Sequence, residues 1–135
     1  MKQITEDYVS FETSKLLKEK GFDIPCNCYG AYNGVNLTYR YCITDKYTNW
    51  NKHTDERTIS CPTLQMAMKW LREVYNICIT IYPDKEKGYE AVLYNIKDDV
   101  EIVLQSFGIY GTHIFGDSYE QAVEEALLYV LKNLI

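Results

Sequence analysis

No apolar run in this sequence approaches the ~20 residues that a membrane-spanning helix needs. Cationic residues are in the minority: 14 Lys and Arg stand against 19 Asp and Glu, for a formal net charge of −5. That balance, with a pI near 5.0, opposes phosphate backbones and anionic membranes, which call for clustered cations. Linkers, internal repeats and low-complexity tracts are missing, so the 135 residues read as a single α+β domain, residues 1–135, with its own core. The opening MKQITEDYVSFE has neither an apolar centre nor a small-residue cleavage site, which argues against a signal peptide. The 5 cysteines are odd in number and scattered, the pattern of reduced thiols in a cytoplasm.

Catalytic and metal-binding signatures are also lacking. Cys26-Asn27-Cys28 is a CxC, but the nearest histidine, His53, falls in a loop and two further ligands at zinc spacing are wanting. Both thiols read instead as small core residues on one strand face. His53 and His113 belong to no HExxH or Cys-His arrangement and read as surface histidines. Cys61, placed before Pro62 at an expected helix start, has no assignable base beside it. Gly108, Gly111 and Gly116 lack the lysine and the spacing of a phosphate loop. Glu120, Glu124 and Glu125 read as the solvent side of a helix. The expectation is therefore no catalytic residue, no cofactor and no structural metal.

What is present is a clear pattern of elements. From Leu64 the apolar residues Leu64, Ala67, Met68, Leu71, Val74 and Tyr75 follow helical spacing, and Pro62 suits the first turn, with Ser60 or Thr63 capping. From Ile77 the period changes to the alternation Ile77, Ile79, Ile81 of a strand, with Asn76 in the turn between. An earlier helix is expected over Ser10 to Lys20, ending in a Schellman motif with Gly21 at C′ and Phe22 packing on Leu17. Asn33-Gly34 signals a type I′ hairpin that pairs Cys28 with Tyr39 and Cys26 with Tyr41. Its apolar face would hold Val35, Leu37, Tyr39, Tyr41 and Ile43; its outer face, Asn27, Asn36, Thr38 and Arg40.

Thr44 to Thr58 reads as a long polar loop carrying Tyr47 and Trp50, with a short strand re-entering at Thr58-Ile59. Strands over Tyr89 to Ile96 and Val100 to Phe107, joined by a tight turn, should pair Leu93 with Leu104 and Asn95 with Ile102, and another short strand is expected at Thr112 to Phe115. A last helix starts near Ser118, which stands in capping-box spacing with Gln121, and carries the stripe Tyr119, Ala122, Val123, Ala126, Leu127, Val130, Leu131, Leu134. The order α-β-β-α-β-β-β-α argues for an antiparallel sheet with helices on one face.

From Pro62 onward this order resembles double-stranded RNA-binding domains. Their last helix opens on a basic cluster, whereas Asp117-Ser118-Tyr119-Glu120 would repel phosphate, so no nucleic-acid partner is expected. Gly116-Asp117-Ser118-Tyr119-Glu120 is also similar to the helix start of antitoxins with a partial ribonuclease H-like fold, and is in large part a helix cap. The segments Glu6–Asp23, Pro62–Ile77 and Ser118–Ile135 resemble a family of small uncharacterised proteins of gut anaerobic bacteria and their phages and mobile elements. That resemblance implies a cytoplasmic, phage-related accessory protein, and it brings no catalytic residues with it.

The compositional outlier is 13 tyrosines. Tyr29, Tyr94, Tyr47 and Trp50 fall where a one-sided sheet and its loop would expose them, and Tyr and Trp bury large area at low entropic cost in interfaces. The resulting expectation is a non-enzymatic protein-binding module, its partner another protein or a second copy of the chain. Tyr47 and Trp50 would either fold back on the hairpin's outer face at Tyr29 and Thr38 or meet a partner; in the second case Trp50 would be the anchor and contribute little to the melting temperature. The rival reading is a small enzyme or ligand-binding protein whose site is assembled from distant residues.

Overall fold

The computed structural model describes residues 3–32, 37–43, 45–52, 57–104 and 113–135. The fold is α+β, and its described strands form two antiparallel sheets rather than one. By contacts the chain divides into residues 1–65 and residues 66–135.

In the first unit, α1 (Phe11–Glu19) begins where expected because the Ser10 hydroxyl accepts the Thr13 amide at 3.2 Å. It ends in the expected Schellman motif: Phe22 N–H reaches Leu17 O at 2.9 Å, Gly21 N–H reaches Lys18 O at 3.1 Å, and Gly21 takes φ 88°. Leu17 and Phe22 are both buried.

Strands β1 (Cys28–Tyr32), β2 (Leu37–Cys42) and β3 (Thr58–Ser60) form a sheet of order β2-β1-β3. The hairpin register differs from expectation. Cys28 pairs with Cys42 and Tyr29 with Tyr41, three residues along β2 from the pairing that an Asn33-Gly34 turn implies. That turn lies outside the described residues, as do Val35 and Asn36. A slip of an odd number of residues exchanges the two faces of a strand. Arg40, expected outside, lies on the α1 side, where its guanidinium donates to Val9 O at 2.6 Å and sits 5.5 Å from the Tyr8 ring centre. Tyr39 and Tyr41, expected inside, are outside. The inner face instead gathers Cys28, Ile59 and Cys61, with Tyr8 and Phe11 packed against them.

Cys28 and Cys42 form a disulfide, which corrects the expectation that all the thiols are reduced; Cys26, Cys61 and Cys78 are free. Cys26 and Cys28 are buried, as a core reading requires.

Helix α2 (Leu64–Tyr75) starts two residues later than Pro62 suggests, which leaves Ser60 in β3 and Cys61 in an extended segment rather than at a helix N-terminus. Tyr8 bridges Thr63, and the Leu64 amide donates to Asp7 O at 3.0 Å, so the N-terminal segment fixes where the helix can begin. Ala67, Met68 and Leu71 are buried as the period predicts. Val74, however, is 53% exposed and Trp70 is buried, its ring edge-on to Tyr75 at 5.2 Å. The buried stripe has rotated to admit the larger ring.

In the second unit, Asn76 takes the positive φ (58°) that its place between helix and strand asks for. β4 (Ile77–Asp84) pairs with β5 (Gly88–Asn95), and β6 (Val100–Glu101) and β7 (Ile114–Gly116) share the other side of β5. Asn95 faces Val100 rather than Ile102, because Asp99 adopts φ 59° and closes a longer turn; this two-residue shift keeps the expected faces. α3 (Tyr119–Asn133) packs on β4, β5 and β7, and buries Ala122, Val123, Ala126, Leu127, Tyr129, Val130 and Leu131. Ser118 Oγ accepts the Gln121 amide at 3.1 Å, and Gln121 returns a bond to the Asp117 amide at 2.9 Å, one residue before the cap. No described helix is long and apolar enough to cross a membrane.

Candidate functional site

The aromatic residues of the first sheet collect on its outer face. Cross-strand partners in an antiparallel pair project to the same side, so the pairs Tyr29/Tyr41 and Ala31/Tyr39 set three tyrosines together. The Tyr29 and Tyr41 ring centres lie 5.5 Å apart, and Tyr39 meets Tyr41 edge-on at 4.4 Å. The first separation falls within the ~4.5–7 Å range of favourable aromatic pairs, and the second lies at its short edge.

Trp50 completes the cluster from the loop. The chain after β2 returns along β1: Cys26 and Thr48 exchange two backbone hydrogen bonds at 3.0 Å each, which sets a short 3-10 turn (Trp50–Lys52) over the sheet. The Trp50 ring then lies 4.3 Å from Tyr29, and its indole N–H donates to Cys26 O at 3.1 Å. Asn51 locks the same turn, since its amide donates to Ser60 Oγ at 3.2 Å, its Oδ1 accepts the Ser60 amide at 2.9 Å, and its Nδ2 donates to Phe22 O at 2.8 Å. The 3-10 turn therefore covers the β3 side of the face, and among the described residues the β2 side is open.

The cluster has a floor and a surface. Tyr29 and Trp50 are half-buried, whereas Tyr39 and Tyr41 are each 48% exposed and Tyr47 is 62% exposed. Partial burial, then the neighbouring Tyr39 and Tyr29, push the Tyr41 phenol above its ordinary value. The one cation of β2, Arg40, is turned to the opposite face, so this surface is apolar and hydroxyl-bearing.

Of the residues expected at a binding site, the sheet brings Tyr29 and Trp50 into contact and leaves Tyr47 exposed. Tyr94 belongs to the second unit. It lies on β5 opposite Cys78 and Glu101, and its hydroxyl bonds to Asp99. Of the two roles expected for Trp50, the geometry matches the fold-back on the hairpin at Tyr29, because its ring and N–H both hold the loop to the start of the hairpin. Tyr39 and Tyr41, which sequence reasoning placed inside, are the most accessible members of the cluster proper. The signal that would have exposed them is Cys42: read as the partner of Cys28, it sets the register and with it the face.

His113 pairs with Glu90 on the second sheet, and its ring lies 5.7 Å from Phe115. His53 lies outside the described residues, as do Gly108 and Gly111. Among the described residues no group of three or more His, Cys, Asp or Glu is placed to hold a metal ion. No protein-family model matches the chain, and neither a curated protein nor a solved structure matches it.

Proposed function

We propose that the chain is a non-enzymatic protein-binding module that uses the outer face of its first sheet. The observation that carries this reading is the run Trp50–Tyr29–Tyr41–Tyr39, ring against ring, with its last two members half in water. Aromatic side chains anchored from below lose little conformational freedom on binding, which suits them to the centre of an interface. The partner is a protein rather than a nucleic acid, since a net charge of −5 and an aromatic patch without its own cation disfavour phosphate. A cytoplasmic, phage-related accessory role accords with such a binder and rests on the sequence resemblance alone.

The test is the double variant Tyr39→Ser/Tyr41→Ser, followed by sedimentation for self-association and by capture from the host for other partners. Neither ring is part of the core, so the variant should stay folded with only the small loss of stability that two surface ring contacts carry, while association falls at least tenfold, the effect of losing ~1.4 kcal/mol. An unchanged association in both assays removes the binding reading.

A further inference from the structure

Cys28 has a sulfur-bearing neighbour on each side. On β2 it lies directly opposite Cys42, to which it is bonded. On the other side the β1/β3 ladder pairs Tyr29 with Ser60, and one step further the Cys61 amide donates to Cys28 O at 3.0 Å. The strand order β2-β1-β3 therefore sets Cys42, Cys28 and Cys61 in a row across the sheet, with Cys28 in the middle. Cys28 and Cys61 belong to the same buried cluster on the inner face. We infer that this row is a thiol–disulfide exchange site in which Cys28 trades its bond to Cys42 for a bond to Cys61.

The step needs no outside oxidant or reductant. The Cys61 thiol loses its proton, the one that the exchange returns to Cys42, and the resulting thiolate pair forms a bond to Cys28 Sγ. The Cys28–Cys42 bond breaks, its electron pair leaves on Cys42 Sγ, and that thiolate takes up a proton. One disulfide and one thiol stand on each side. The row sets the attacking and leaving cysteines on opposite strands, one to either side of Cys28.

Surroundings favour the same direction. Cys42 is exposed, so the leaving thiolate is hydrated, whereas a Cys61 thiolate is fully buried and its charge is relieved once the bond to Cys28 forms. The Ser14 hydroxyl, itself buried on α1, donates to Cys61 Sγ at 3.5 Å and would steady the attacking thiolate. Cys26 is a poorer competitor: its Sγ already donates to Cys28 O at 3.1 Å, and burial raises its pKa. Exchange would move the covalent tie from the β2 edge, which carries Tyr39 and Tyr41, to β3. The chemistry stands whether or not that edge binds a protein.

Tryptic mapping reads the exchange directly, because Cys26 and Cys28 lie on Gly21–Arg40, Cys42 on Tyr41–Lys46 and Cys61 on Thr58–Lys69. Wild-type protein is equilibrated in glutathione redox buffers, quenched in acid, alkylated, digested and sequenced by tandem mass spectrometry. Both linked pairs, Gly21–Arg40 with Tyr41–Lys46 and Gly21–Arg40 with Thr58–Lys69, are expected, each through Cys28. Cys42→Ser should shift the population to the Cys28–Cys61 link, and Ser14→Ala should slow its appearance in the wild-type background. The inference is overturned if wild type yields the Cys42 link alone at every redox setting, or if the Thr58–Lys69 link runs through Cys26. The wild-type arm decides the matter even where the Cys42→Ser chain fails to fold.

Discussion

The indole N–H of Trp50 donates to the carbonyl oxygen of Cys26 at 3.1 Å, so the loop's one tryptophan ties down the entry to β1. Its ring also covers Tyr29 at 4.3 Å. Trp50→Ala removes a net hydrogen bond and an aromatic contact, and should cost roughly 1–3 kcal/mol. Trp50→Phe keeps a ring but not the donor, and should fall between the two. A denaturant series on the three proteins checks this. Equal midpoints for wild type and Trp50→Ala would return Trp50 to the role of a free surface anchor.

The core of the second unit depends on α3. Leu127 is fully buried among Val123, Ala126, Val130 and Leu131 on the face that packs on β4, β5 and β7. Leu127→Ala should cost about 2–5 kcal/mol, measured as a shift of the urea midpoint at constant slope. A shift under ~1 kcal/mol would mean that the site collapses around the missing atoms.

Gly116 is required by proximity rather than by dihedral angle. A Cβ there would meet Ala122 N at 2.3 Å and Ala122 Cα at 2.8 Å, both backbone atoms of α3. Backbone cannot swing aside as a long side chain can, so Gly116→Ala must push the first turn of α3 off β7, with a cost of at least ~1–3 kcal/mol. Calorimetry of this single variant tests it, and a melting temperature equal to wild type would contradict the close approach.

These particulars also show what local sequence carries. The α1 ending was readable because all its determinants (Leu17, Gly21, Phe22) lie within six residues and one backbone motif satisfies them. The face of β2 was not. Tyr39-Arg40-Tyr41 alternates equally well with either set inward, since tyrosine is at home in a core or at a surface. What decides it is nonlocal: Cys28 meeting Cys42, β3 pairing on the far side of β1, and Arg40 finding the Val9 carbonyl. The aromatic site inherited that ambiguity, so half of it, Tyr29 and Trp50, was visible in the sequence and Tyr39 and Tyr41 were not. Val74 and Trp70 repeat the lesson on α2, where periodicity gave the helix but not the rotation that buries the larger ring.

The β4–β5 hairpin should weaken in acid. Asp84 Oδ1 accepts the amides of Glu86 and Lys87, each at 2.9 Å, and Gly88 follows at φ 88°. The Lys87 amide first, then that of Glu86, hold the Asp84 carboxyl below its ordinary value. A carboxyl whose folded value is depressed stabilises the fold at pH above its unfolded value of ~3.9, and that contribution is lost as pH falls through the lower folded value. Asp84→Asn should therefore lower the melting temperature at pH 7 and have a vanishing effect near pH 2. A difference independent of pH would place the effect in side-chain shape rather than charge.

Tyr41 gives the opposite sign at the other end of the scale, and it reports on the aromatic face itself. Its phenol is raised first by partial burial, then by Tyr39 and Tyr29 beside it. A group whose folded value is raised contributes stability that is complete below its unfolded value of ~10, and loses it as pH climbs through the folded value. With ring-labelled tyrosine, the Tyr41 NMR resonance should titrate later than that of a free phenol. Tyr39→Phe should bring it back toward the ordinary value, because one of the two neighbouring hydroxyls that oppose its ionisation is gone. A blocked free tyrosine in the same buffer serves as the reference. Should Tyr41 titrate together with the free phenol in wild type, the cluster is looser in solution than its ring distances indicate, and its value as a preformed binding surface falls with it.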